Sequence, residues 1–416
     1  METDRKVHDG LGFYSGHLLK WVLAGLIMGA VGGVVGGAFH ECVELASGLR
    51  AAHPWLLYLL PAGGVVIALL YKLSRTVLDT NLVMRAVHSD SEISPVMLPL
   101  IFVSSVISHL LGASVGREGA ALQMGGALGY QFSRLFRLKE RDKRVMVMCG
   151  MSAVFAANFG TPVAAAVFAI EVVDVGIMYY SGLVPCLVSA LTAAGAARLL
   201  GVKPMAFAIA SMAELSALNL LRVGILGVLC AALGIVFCRC LHNGERLAKK
   251  LIPNPLLRIA ALGAVIILLT WLCGEQRYNG AGGAVIASAV AGQARWEDFL
   301  LKLAFTVVSI SAGYKGGEIV PTLFIGSAFG CVTGPLLGLD AGFAAAICMV
   351  ALLCAMVNCP LASVLIGMEL FGGAGLPFFA LACAVSYLLS GRYSLYHEQG
   401  LVYSKVSAMR IDEHTK

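Results

Sequence analysis

Charge is scarce in this chain: 13% of its 416 residues are charged and 59% are hydrophobic, with a mean hydropathy of +0.85. A soluble core of this length does not need so apolar a surface, so the balance places the protein in lipid. Paired cysteines are also missing. The 12 Cys are scattered singly through apolar stretches without a C-x-x-C pair. That argues against a disulfide framework or a zinc site and for small buried hydrophobes, so neither metal nor cofactor is expected. No H-E-x-x-H or Walker pattern occurs. No cleavable leader is evident: the first sixteen residues are polar and mixed in charge, and the apolar run after them lacks an A-x-A exit. That run is expected to stay as a membrane helix.

What fills the chain instead is apolar sequence at residues 21–39, 55–71, 97–112, 145–157, 162–170, 223–238, 259–273, 343–357 and 376–389, several of them long enough to span. One large transport domain is expected over 17–392, in two halves of about 17–200 and 220–392. Residues 1–16 precede it as a cytoplasmic segment, and 393–416 follow as a terminal helix and short cytoplasmic tail. The basic runs at 134–144 and 239–250 are expected to face the cytoplasm with both termini (Arg5, Lys6; Lys405, Arg410, Lys416), as positive loops do in an inner membrane. A nucleic-acid role does not fit these runs, which interrupt membrane segments and lack interleaved aromatics.

Two pairs of segments repeat. Asn158-Phe-Gly-Thr-Pro162 leads into an apolar stretch ending at Glu171, and Asn358-Cys-Pro360 into one ending at Glu369. In both, the glutamate comes nine residues after the proline, the pattern of a helix opened by proline at its first position. Upstream, Gly116-Arg117-Glu118-Gly119 precedes a Gly125-x-x-x-Gly129 face, and Gly316-Gly317-Glu318-Ile319-Val320-Pro321 precedes Gly326-x-x-x-Gly330. Two halves repeated in this order suggest the internal symmetry of a secondary transporter, with broken helices meeting near the bilayer midplane. The sequence alone does not say whether the halves run antiparallel.

An irregular backbone in hydrocarbon is tolerated where it lines a cavity or is buried in protein, so these breaks point to a substrate path. Unpaired N–H groups at a helix start favour an anion, and glycine lets one approach closely. Glu118 and Glu318 are strange company for an anion. A carboxyl that must vacate an anion site when an anion enters can take up a proton as it leaves, which is a physical basis for anion/proton exchange. Arg117 beside Glu118 and Lys315 near Glu318 keep an alternative open, in which both are ordinary ion-paired residues.

These residues carry a resemblance to the CLC (chloride channel) family. Gly116-Arg117-Glu118-Gly119 resembles its G-[KR]-E-G-P motif, with Ala120 in place of proline, and Gly317-Glu318-Ile319-Val320-Pro321 resembles G-x-F-x-P, with Ile319 in place of phenylalanine. The resemblance implies an all-α polytopic membrane protein of inverted-repeat fold with tilted, broken and re-entrant helices, forming a homodimer. Three departures resemble the fluoride/proton antiporter clade. The chloride-binding G-S-G-I-P loop is absent from 77–82, where Thr80 and Asn81 stand; the G-x-F-x-P motif carries Glu318; and Val172, not a second glutamate, follows Glu171. The resemblance implies that Glu118 and Glu318 gate and carry protons. It also implies that the anion is bound by Thr80, Asn81, Gly116, Arg117, Gly119, Gly317, Ile319, Val320 and a terminal tyrosine, Tyr396 being favoured over Tyr393. The tail is too short for the nucleotide-binding pair of many eukaryotic members.

Fluoride and protons are therefore the expected substrates, with a chloride/proton antiporter or passive anion channel of the same fold as the alternative. An intramembrane acid/base enzyme using the two glutamates is a distant third reading. Gly112-Ala-Ser114-Val-Gly116 matches the nucleophile-elbow pattern, but it lies inside a membrane run rather than between a strand and a helix. His40, His88 and His109 stand singly, as hydrogen-bonded scaffold residues do.

Overall fold

All nine apolar runs lie in helical segments, the one at 97–112 ending on its C-cap Gly112. The structure, a computed structural model, describes residues 11–74, 83, 87, 92–396, 398–407 and 409–415, with the backbone alone at 11 and 13. Helix lengths vary widely. α1 (Leu11–Ala52) and α8 (Ala217–Leu251) have 42 and 35 residues, the first about 63 Å at 1.5 Å per residue and far beyond a hydrocarbon core of about 30 Å. At the other extreme α6 (Pro162–Glu171) has 10 residues, about 15 Å, and cannot cross alone. Among the described residues, six helical segments are long and apolar enough to span.

The remaining helices are α2 (Leu60–Leu73), α3 (Met97–Leu111), α4 (Glu118–Leu135), α5 (Glu140–Phe159), α7 (Leu183–Leu199), α9 (Pro255–Cys273) and α10 (Gly283–Val290). They continue through α11 (Asp298–Ala312), α12 (Ile319–Thr333), α13 (Ala341–Val357), α14 (Pro360–Phe371) and α15 (Leu376–Leu389). The order α3–α7 of the first half recurs as α11–α15 in the second.

Reciprocal hydrogen bonds show that the halves face one another across a two-fold. Gly116 N–H donates to Gly317 O and Gly317 N–H to Gly116 O, both at 2.6 Å, as an antiparallel bridge. Ser114 N–H donates to Ser309 Oγ at 2.9 Å, and Lys315 N–H to Ser108 Oγ at 3.1 Å. The Pro-x-Ala hairpins exchange caps in the same way. The Glu171 carboxylate accepts from Leu361 and Ala362 N–H at the start of α14, at 3.1 and 2.8 Å, and Glu369 accepts from Val163 and Ala164 N–H at the start of α6, at 3.1 and 2.9 Å. Neither helix has a side-chain cap of its own at its N-cap residue, so each borrows a carboxylate from the other half to satisfy its orphan donors.

The Gly-x-x-x-Gly faces are contact seams in both halves. A Cβ on Gly125 or Gly129 of α4 would stand 2.2–2.3 Å from carbonyl oxygens of α5, and one on Gly326 or Gly330 of α12 would stand 2.6 and 2.2 Å from those of α13. Only glycine permits backbones this close.

In place of the expected terminal helix, the described residues after 392 form an irregular stretch and two strands. β2 (Gly400–Tyr403) pairs parallel with β1 (Asp174–Val175) and antiparallel with β3 (Arg410–His414). The described residues of 393–399 form no helix; their polar groups bond to the ends of other helices, as detailed below.

The swapped caps carry a testable cost. Glu171→Ala leaves two N–H groups without an acceptor at a site where Glu171 is 6% exposed, about 1–3 kcal/mol each. Thermal unfolding in detergent should drop clearly for Glu171→Ala and much less for Glu171→Gln, which keeps one acceptor oxygen. Equal behaviour of the two would mean that the cap does not stabilise the hairpin.

Candidate functional site

α4 and α12 begin where the Gly116–Gly317 bridge brings the two glycine-rich breaks together, and neither has a side-chain cap. The bridge sets the register of the halves at 201 residues, and the Ser114–Ser309 and Lys315–Ser108 hydrogen bonds repeat it, Ser108 matching Ser309 and Ser114 matching Lys315. Glu318 is therefore the counterpart of Arg117, and the counterpart of Glu118 is Ile319. The sequence pattern invites matching Gly116-Arg117-Glu118 with Gly316-Gly317-Glu318, but the structure shifts that match by one residue, so the two carboxylates occupy unlike positions.

Glu118, the first residue of α4, is fully buried. Its Oε2 accepts the Arg117 N–H at 3.1 Å; its Oε1 lies 3.4 Å from Arg117 Nε and makes no hydrogen bond. The carboxylate thus occupies a helix start, where an anion would compete for the same field. Arg117 is also held by Glu44 of α1, Nη1 to Oε1 at 2.5 Å. On this side lies a cavity of about 530 Å³ bordered by Arg50, Arg117, Glu118, Arg277, Asn279 and Val320.

Glu318, the residue before α12, is partly buried. Its Oε2 lies 3.7 Å from the place a Cβ would take on Gly119, so the carboxylate sits against the first turn of α4. Lys315 Nζ lies 5.0 Å from the centre of the Tyr71 ring. Ile319 and Val320 are buried.

The two tyrosines separate cleanly. Tyr396 is 7% exposed and its hydroxyl makes no hydrogen bond. Tyr393 faces α8, where its hydroxyl accepts from Arg239 Nε at 2.9 Å and the guanidinium stands 4.9 Å from its ring centre. The breaks thus bring together Gly116, Arg117, Glu118, Gly119, Gly317, Glu318, Ile319 and Val320; Tyr396 belongs to the same buried core as Ile319 and Val320, and Tyr393 packs against another one. Thr80 and Asn81 lie outside the described residues, as does His88.

Sequence reading missed the walls. Glu44 and Arg50 come from α1, and Arg277 and Asn279 from the loop before α10. Arg277 is neutralised by a two-point pair with Asp298, both bonds at 2.8 Å. Arg50 Nη1 is buried with no hydrogen bond. Arg50 interrupts the apolar character of its helix end, the one local signal that could have marked it. Ser114 of the elbow-like pattern has its hydroxyl 3.1 Å from that of Thr306, a contact between the halves with no acid or histidine beside it among the described residues.

A bundle with swapped caps, crossed breaks and paired uncapped helix starts is a polytopic membrane protein of the inverted-repeat type. The chain belongs to the voltage gated chloride channel (CLC) family, whose model matches residues 63–391. A "Chloride/fluoride channel protein" of Pseudomonas syringae pv. tomato is 38% identical over 400 residues, which are 94% of this chain and 88% of that one. Among solved structures, a CLC-type fluoride/proton antiporter superposes with a TM-score of 0.88 at 33% identity, over 92% of this chain and 98% of its own. A slow cyanobacterial Cl⁻/H⁺ antiporter shares the fold at 21% identity, with a TM-score of 0.75 over 89% and 94% of the two chains.

Proposed function

We propose that this protein is a fluoride/proton antiporter that exports fluoride in exchange for protons, as a homodimer in the inner membrane with both termini cytoplasmic. The observation that carries the reading is the placement of two carboxylates at adjoining uncapped helix starts, Glu118 beside the charged cavity and Glu318 against the first turn of α4, with the buried Tyr396 hydroxyl left unbonded. A carboxylate competing with an anion for one helix start leaves when the anion enters, and a proton accompanies it. Glu318, in the position where the family motif has no acid, carries the proton onward. Fluoride is small and strongly hydrated, and selecting it requires donors of high field strength: the Tyr396 hydroxyl, helix N–H groups and a protonated Glu318. The similarity to a fluoride/proton antiporter supports the same reading.

A passive pathway for chloride and fluoride is the second reading, favoured by the name of the Pseudomonas relative. The two are separated by anion efflux from proteoliposomes loaded with fluoride or with chloride, following internal pH. Antiport of fluoride gives fast fluoride release, slow chloride release and proton uptake; comparable chloride release removes the selectivity claim.

Within this reading Tyr396→Phe removes one donor to the ion. A hydrogen bond to a charged group is worth about 1.5–3 kcal/mol, so fluoride preference over chloride should fall roughly tenfold or more. Tyr393→Phe should leave the preference unchanged. The reverse order would assign the ion to the wrong tyrosine.

A further inference from the structure

Around Tyr396, the side chains of Ser394 and Gln399 are hydrogen-bonded while the Tyr396 hydroxyl is not. Gln399 is fully buried and uses both donors and both acceptor lone pairs of its amide. Its Nε2 donates to Val172 O and Val357 O, both at 2.9 Å, and its Oε1 accepts from Asn358 Nδ2 at 3.1 Å and Ser394 Oγ at 2.8 Å. Val172 follows the last residue of α6, and Val357 is the last of α13, so one side chain caps the C-terminal carbonyls of a helix from each half. Those are the ends at which Glu171 also joins the halves.

The tail adds a second hold. The Thr415 hydroxyl, just past β3, donates to Tyr396 O at 2.7 Å, and its N–H donates to Gln399 O at 3.1 Å. Lys405 Nζ, beyond β2, donates to Asn358 Oδ1 at 2.5 Å, to Tyr387 O at 2.9 Å and to Ser390 Oγ at 2.8 Å. Leu395 N–H donates to Met356 O at 2.8 Å, and Tyr396 N–H to Ser394 Oγ at 3.1 Å. The Tyr396 backbone is thereby fixed from both sides while its buried hydroxyl remains unbonded.

We propose that Gln399, locked by the β2–β3 tail through Thr415, is a positioning residue that aims the Tyr396 hydroxyl at the transported anion and so sets anion selectivity from the cytoplasmic tail. The proposal rests on the transport reading above. A donor held by packing and second contacts discriminates between ions of different size, whereas one free to shift accommodates both.

The test is a double-mutant cycle on the ratio of fluoride to chloride efflux rates in proteoliposomes, using wild type, Gln399→Ala, Tyr396→Phe and the double variant. If Gln399 acts through Tyr396, Gln399→Ala lowers the ratio by most of the Tyr396→Phe factor, and the double variant falls no further than Tyr396→Phe alone. An unchanged ratio in a well-assembled Gln399→Ala protein, or factors that multiply in the double variant, overturns the proposal. Should Gln399→Ala fail to assemble, Thr415→Val, which removes one hydroxyl, is judged by the same criterion. A wild-type ratio near one defeats the fluoride reading alone. The clasp is then decided by whether the two substitutions change flux of the carried anion non-additively.

Discussion

Glu118→Gln should abolish proton movement while leaving anion flux measurable. Glutamine is nearly isosteric and keeps an oxygen for the Arg117 N–H, now bonded to Glu118 Oε2 at 3.1 Å. Arg117 retains Glu44 as its second partner, so it is not left as an uncompensated buried charge. What the amide cannot do is bind and release a proton when an anion enters the helix start. With fluoride and pH recorded together in proteoliposomes, proton uptake should fall at least about tenfold, to background, since no other titratable group occupies this position. Because Glu118 and Glu318 are not symmetry counterparts, Glu318 does not substitute for it. Undiminished proton uptake in Glu118→Gln would move the proton path away from the cavity.

Gly317→Ala should be strongly damaging to transport. A Cβ there would stand 2.3 Å from Gly119 N and 2.6 Å from Gly119 Cα. Both are backbone atoms in the first turn of α4, so no side chain can swing away. Relief requires the two breaks to separate, which lengthens both 2.6 Å bonds of the Gly116–Gly317 bridge and shifts Glu318 away from α4. Two hydrogen bonds and overpacking strain together amount to about 2–5 kcal/mol, and transport should fall by a hundredfold or more, since roughly 1 Å of misplacement at a site is enough for that. The control is Gly224→Ala in α8, where an added Cβ meets nothing within 4 Å. Thermal stability and fluoride efflux of the two variants give the comparison; a Gly317→Ala protein with wild-type flux would mean that the crossing of the breaks does not hold the site.

Much of this arrangement is written in local sequence. The nine apolar runs became helical segments because lipid leaves the backbone no other partner. α4 is different: its glycines lower its apolar signal, and its start is legible through the motif Gly116-Arg117-Glu118-Gly119, as that of α12 is through Gly317-Glu318-Ile319-Val320-Pro321. The Pro-x-Ala hairpins and their terminal glutamates are visible as a repeat. That Glu171 caps the other hairpin, 190 residues away, is not, because pattern matching finds likeness and not contact. The antiparallel sense and the 201-residue register follow from single hydrogen bonds at Gly116 and Gly317, to which no local propensity points. Glu44 and Arg50 reach the cavity from a helix some 70 residues before Glu118. The two tyrosines differ in their partners, Tyr393 being engaged by Arg239 while the Tyr396 hydroxyl is buried without a hydrogen bond, a difference that the local sequence does not display.

The decisive measurement is thermodynamic. Proteoliposomes are prepared with equal fluoride on both sides, the membrane potential is clamped at zero, and a pH gradient alone is imposed. Antiport predicts net fluoride movement against the gradient that develops, toward the side from which protons leave, ending at a fluoride ratio that tracks the pH difference. No net fluoride movement in vesicles that still exchange fluoride would contradict the assignment and make the protein a passive anion pathway.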